Sequence, residues 1–99
     1  MKTLDEDLKD KIIIRGGLKL LYADDAIKFI KKCKSQNIMI LGFDTFRIIE
    51  GDLTQPLLEY SIDYSSSSSN VSKSDVWDNA CRYIETIKDK NFLFEIILE

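Results

Sequence analysis

The stretch Ile38-Met39-Ile40-Leu41-Gly42-Phe43-Asp44-Thr45-Phe46 decides the fold. From Ile38 to Phe43 it is continuously apolar with only Gly42 as a break, the pattern of a strand buried on both faces. A second run, Phe46 to Ile49, reads as another strand, closed by the turn composition Glu50-Gly51-Asp52. Beyond Pro56 the chain alternates: Leu58, Tyr60, Ile62 and Tyr64 point one way, and Glu59, Ser61 and Asp63 point the other. That is the period of a strand with one wet face. Phe92 to Leu98 forms a last strand, apolar on nearly both faces with Glu95 as the exception. Strands apolar on both sides belong in the middle of a sheet whose second face is covered, either by an N-terminal helix or by a partner protein.

Helices surround these strands. Ala23, Ala26, Ile27, Ile30 and Cys33 make one apolar stripe, with Asp24 and Asp25 at the helix start and Lys28, Lys31, Lys32 and Lys34 on the solvated side. Ser74 can cap another helix, with Asp75 and Asp78 in its first turn and a wide stripe of Val76, Trp77, Ala80, Cys81, Ile84 and Ile87. Asp89-Lys90-Asn91 ends it. At the N-terminus, Thr3-Leu4-Asp5-Glu6 has capping-box spacing, Leu4, Leu8 and Ile12 recur at helical intervals, and Gly16-Gly17 would stop the helix. The β-branched run Ile12-Ile13-Ile14 suits a strand equally well. Ser65 to Ser69 and Asn70 form a low-complexity connecting loop.

The order is helix, helix, three strands, helix, strand. The third and fourth strands, joined by a helix, should run parallel within an otherwise antiparallel sheet. The fold class is therefore α+β, a mixed, mostly antiparallel sheet of about four strands with helices packed on it. The 99 residues make one domain, 1–99, with 1–17 as an N-terminal helical extension.

Composition narrows the function. The chain has no histidine, which removes the commonest general base, the Ser-His and Cys-His systems and most zinc sites. No catalytic residue, metal site or cofactor is assigned. A net charge of −3 disfavours nucleic acid as a partner and favours a basic protein. No apolar run approaches the ~20 residues that span a bilayer, and Met1 to Asp10 is mostly charged, without a signal-peptide core. Cys33 and Cys81 form no CxxC pair and are expected to be reduced core thiols. These observations predict a cytoplasmic protein with no membrane partner.

Few motifs carry chemistry. Gly16-Gly17 lacks the surroundings of a phosphate loop, and Asp24-Asp25 is explained by the helix dipole. Gly42-Phe43-Asp44-Thr45-Phe46 is different: a core strand passes a glycine and immediately presents an aromatic, a carboxylate and a second aromatic. It can offer a recognition residue at a sheet end, or Asp44 can cap a turn while Phe43 and Phe46 belong to the core.

The segment Ala26-Ile27 in a lysine-rich helix, followed by Gln36-Asn37-Ile38-Met39-Ile40-Leu41-Gly42-Phe43-Asp44, resembles the helix–turn–strand opening of the immunity proteins that neutralise tRNA-cleaving colicins. The ending is similar too, with Ala80, Ile84, Glu85 and Lys88 on a helix and Asn91 to Leu98 as an apolar strand. Related polymorphic-toxin immunity proteins share the Gly-Asp step, then a proline and an acidic-aromatic strand, here Pro56 and Glu59-Tyr60-Ser61-Ile62-Asp63-Tyr64. The resemblance covers roughly Tyr22 to Leu98. It departs in the first seventeen residues, an extension beyond the colicin form, and at Phe43, where some relatives have glycine.

The resemblance implies an immunity protein that binds a cognate toxin, a basic nuclease, and neutralises it by occupying its active-site cleft. The expected toxin-binding residues are Phe43, Asp44, Phe46, Glu59, Tyr60 and Asp63, with Arg47 orienting a carboxylate and Trp77 in the core. Two other readings stay open: a binding or regulatory module of another assembly, and a small enzyme using Asp44, Glu59 or Asp63.

Overall fold

The computed structural model describes residues 11–15, 17–50, 53–65 and 71–99. Strand β1 (Ile13–Arg15) turns back into β2 (Leu18–Tyr22), which runs directly into helix α1 (Ala23–Ser35). Then come the long β3 (Ile40–Glu50), β4 (Leu53–Pro56), a 3-10 turn (Leu58–Tyr60) and the short β5 (Ile62–Asp63). A 3-10 turn (Lys73–Asp75) leads into helix α2 (Val76–Thr86), and after a further 3-10 turn (Lys88–Lys90) β6 (Leu93–Leu98) closes the chain. The sheet order is β1-β2-β6-β3-β4, with β5 also on β3, and every pairing is antiparallel.

The α+β class is therefore as expected, with more strands than the sequence disclosed. The two strands apolar on both sides, β3 and β6, pair with each other in the middle of the sheet. Because β5 and β6 both oppose β3, they point the same way, as the connecting helix requires, but they flank β3 instead of touching.

The two described helices cover one face of the sheet. Ala26, Ile30 and Cys33 of α1 and Ala80 and Ile84 of α2, all 0% exposed, join Leu21, Ile40, Phe43 and Phe94 in a single core cluster. The stripes read from the sequence are the faces that pack. Trp77 belongs to this core, and its indole Nε1 donates to the Ile38 carbonyl at 2.9 Å. Cys33 is buried, and burial pushes its thiol up to about 11. Cys81 is only partly buried, beside Ile27, Lys31 and Asp78 in the groove between the helices, a correction to the expectation of two core thiols.

Several local expectations are corrected. The capping box and the helical spacing of Leu4 and Leu8 lie outside the described residues, but Ile13–Arg15 is a strand. Arg15 pairs with Leu18, so the connection is two residues long, and Gly17 takes φ +82°. Gly17 here sits in a hairpin turn, where a side chain would disfavour its positive φ, and does not stop a helix. The runs 38–43 and 46–49 are not two strands: from Ile40 to Glu50 the chain is one continuous strand. The alternation at 58–64 is interrupted: Leu58–Tyr60 is a 3-10 turn, Leu58 is 83% exposed, and only Ile62–Asp63 pairs. Ser74 does not cap α2 but lies within the preceding 3-10 turn, and Ser72, just ahead of that turn, donates its hydroxyl to Asp75 at 2.8 Å. The serine run 66–70 lies outside the described residues.

Hydrogen bonds fix the 57–61 segment against the edge of β3. Thr45, 0% exposed, accepts from Leu57 N–H through its carbonyl (2.7 Å), donates its hydroxyl to the Tyr60 carbonyl (2.7 Å), and donates its N–H to Ser61 Oγ (2.9 Å). The Ser61 hydroxyl in turn donates to the Leu57 carbonyl (2.9 Å). A buried polar residue is tolerated because each of its groups is paired.

Candidate functional site

The register between β3 and β6 is unbroken from Phe43↔Ile96 through Asp44↔Glu95 and Thr45↔Phe94 to Phe46↔Leu93. Side chains alternate along a strand, so Phe43 and Thr45 face the helices while Asp44 and Phe46 face away. Glu95, directly opposite Asp44, shares the face turned away from the two described helices. Cβ atoms of directly opposed residues lie about 4.5–5.5 Å apart, and like charges so placed repel. Two carboxylates thus stand side by side on the two central strands.

Their surroundings sharpen the effect. Asp44 is exposed and Glu95 partly buried. Burial and then the charge of Asp44 push the Glu95 carboxyl above its ordinary value of 4.5. Among the described residues no lysine or arginine forms an ion pair with either group. On the same face Leu20, Phe46 and Leu93 are 0%, 7% and 1% exposed, with Ile13 and Leu18 packed against them, so this apolar cluster is already buried and offers a partner almost no surface. An acidic pair that no described lysine or arginine neutralises is suited to a cationic group carried by another protein.

The raised value gives a signed prediction. The native carboxyl takes its proton at higher pH than an unfolded glutamate, so ionised Glu95 weakens the fold at neutral pH. That weakening is relieved as pH falls from the native value toward 4.5. Glu95→Gln is expected to be more stable than the wild type at pH 7, by less than about 1 kcal/mol. The difference should shrink to nothing near pH 4. Urea unfolding at the two pH values checks it, and equal stability at pH 7 would contradict it.

The structure separates the other sequence-selected residues. Phe43 is 1% exposed, with its ring centroid 5.8 Å from those of Phe94 and Tyr83, and so presents almost no surface to a partner. Phe46 is buried on the opposite face as part of that apolar cluster. Glu59 is exposed, and Tyr60 packs on Phe92 with centroids 5.1 Å apart. Burial, then Tyr60 and Glu59, raise the Tyr83 hydroxyl, which places these two residues beside α2 at the β3 edge and not beside Asp44. Asp63 is exposed next to Gly42 and accepts from the Ser65 N–H at 2.9 Å. Arg47 donates from Nε to Gln55 across the β3–β4 pair, which corrects the expectation that it orients a carboxylate. Glu95 was not among the selected residues. Its signal was a lone carboxylate on an otherwise apolar strand.

Among the described residues no group of three or more histidine, cysteine, aspartate or glutamate side chains is placed to hold a metal ion. Among the same residues no helix is long and apolar enough to cross a membrane.

The family model described as Immunity protein 40 matches residues 20–98. The chain belongs to the Immunity protein 40 family. Comparison with curated proteins and with solved structures found no match. The Immunity protein 40 match begins in β2 and ends in β6, so both helices and both strands carrying the acidic pair lie within it. Membership in an immunity family implies a cognate toxin as the protein partner. It agrees with the resemblance to immunity proteins seen in the sequence, at the level of the immunity-protein class.

Proposed function

We propose that this protein neutralises a nuclease toxin by laying the sheet face that carries Asp44 and Glu95 over the toxin's basic active-site cleft. The observation that carries the reading is the Asp44–Glu95 pair, two neighbouring carboxylates that pair with no described lysine or arginine. A nuclease cleft must hold cationic and donor groups for phosphate, and carboxylates complement the same groups. Glu59 and Asp63, exposed along the segment bordering β3, extend the negative field at that edge. Inhibition by occupancy needs no catalytic group in the inhibitor, in keeping with a chain that lacks histidine. The likeness of the Gln36–Asp44 segment to colicin immunity proteins also supports a nuclease as the target.

Asp44→Lys tests this directly. In the isolated protein it turns a repelling cross-strand pair into an attracting one, so the fold is unchanged or gains up to about 1 kcal/mol. Toward the toxin it reverses a charge at the centre of the face. Electrostatic steering can raise association rates by orders of magnitude, so the association rate with the cognate toxin domain is expected to fall at least about tenfold at low salt. Protection of cells from the toxin should weaken in parallel. A folded Asp44→Lys variant with wild-type association and full protection would rule out this face.

A further inference from the structure

On its β4–β5 side, β3 is paired above and below a gap. Phe46 stands opposite Pro56 and Phe43 opposite Ile62, so two residues of β3, Asp44 and Thr45, stand beside five of the neighbouring segment, 57–61. The excess makes a large bulge at the sheet edge. The alternation of Leu58, Tyr60, Ile62 and Tyr64 suits a straight strand, yet the buried Thr45 holds the segment off that course through its carbonyl, hydroxyl and N–H. Bulges re-aim side chains and are over-represented beside functional sites. This one borders Asp44 on one side, as Glu95 borders it on the other.

The bulge holds an apolar group in water. Tyr60 anchors the turn on Phe92, but Leu58 is 83% exposed, more than any other large apolar side chain among the described residues. A bulge that only protects a sheet edge from stray pairing does so best with polar or charged groups, and an exposed leucine adds nothing to that role. The surrounding charge selects the occupant. Between Arg47 and Lys73 the sequence holds Glu50, Asp52, Glu59 and Asp63 and no lysine or arginine. Glu59, next to Leu58, and Asp63 are exposed. A second copy docked through this turn would bring like charges together, whereas a basic protein meets opposite charge.

We infer that the 57–61 bulge is a preformed contact element for the cognate toxin, with Leu58 entering an apolar pocket beside the basic surface that Asp44 and Glu95 meet. The inference rests on the proposed function. The hydrogen bonds of Thr45 and Ser61 already hold the turn, so little ordering is left for binding, and burial of Leu58 acts on release.

The experiment measures binding of an inactivated cognate toxin domain to wild type, Leu58→Ser, Leu58→Met and Asp44→Lys. Leu58 packs on little in the free protein, so both of its variants should keep the wild-type melting temperature. Leu58→Ser is expected to dissociate at least about tenfold faster with its association rate kept, because a buried leucine is lost from the complex. Leu58→Met, which retains the apolar volume, should release like the wild type, and Asp44→Lys should associate slowly. Wild-type dissociation of Leu58→Ser, while Asp44→Lys associates slowly, overturns the inference and leaves the acidic face standing. Fast dissociation of Leu58→Ser, while Asp44→Lys binds normally, keeps the bulge as a toxin contact and removes the acidic face. A wild-type dimer by sedimentation that Leu58→Ser dissolves, with toxin release unchanged, assigns the turn to a second copy and overturns the inference.

Discussion

Replacing Trp77 by alanine is expected to lower stability by about 3–5 kcal/mol, the range for truncating a buried large aromatic. Trp77 is 7% exposed within the cluster that joins α1, α2 and the sheet. Its indole also donates to the Ile38 carbonyl two residues ahead of β3, so the substitution opens a cavity and removes that carbonyl's donor together. For a domain of about this size each kcal/mol moves the melting temperature by about 4–8 °C, so a fall of more than about 12 °C is expected. Toxin binding at a temperature where the variant stays folded should be unchanged, because the side chain sits on the helix side of the sheet. Thermal unfolding and a binding titration check both halves. Intact stability with lost binding would move Trp77 into the interface.

Gly42→Ala comes next in size. Gly42 sits in β3 at φ +154°, and a Cβ placed there would lie 2.1 Å from the Ile62 carbonyl oxygen and 3.1 Å from the Asp63 Cα. Both neighbours are backbone of β5, so no side chain can swing away. Either β3 or β5 must move, at a cost of about 1–3 kcal/mol for strained backbone and overpacking. The damage should concentrate where β5 docks, loosening Asp63 and the Tyr64 hydroxyl that donates to Asn79. Urea unfolding measures the loss, and amide exchange at residues 62–64 locates it. A variant as stable as the wild type would show that β5 is not seated against this glycine.

The parts of the fold that the sequence disclosed are those where one chemical period dominates. The stripes of α1 and α2 and the all-apolar strands β3 and β6 are legible because burial on known faces demands them. The β1–β2 hairpin was missed because Leu4, Leu8 and Ile12 keep helical spacing into a β-branched run, and Gly-Gly serves equally as a helix stop and a two-residue turn. The 58–64 alternation misled because hydrogen bonds from Thr45 and Ser61 hold its first half in a 3-10 turn, a tertiary constraint with no local period.

The candidate site was legible one residue at a time. Asp44 stood out as a carboxylate leaving an apolar strand, and Glu95 as an interruption of another. That they oppose each other depends on the register of strands about fifty residues apart, which neither segment encodes alone. The same register puts Phe43 and Phe46 on opposite faces, although a linear reading groups them with Asp44.

Carboxyl footprinting of the free protein and of its complex with the cognate toxin domain tests the central claim without altering the chain. A carbodiimide-coupled amine should modify Asp44 and Glu95 in the free protein and be excluded from both in the complex. Asp24, Asp25 and Asp89, around the start of α1 and the approach to β6, should stay as reactive as before. The opposite pattern, with Asp44 and Glu95 equally reactive in both states and the helix-side carboxylates protected, would contradict the account.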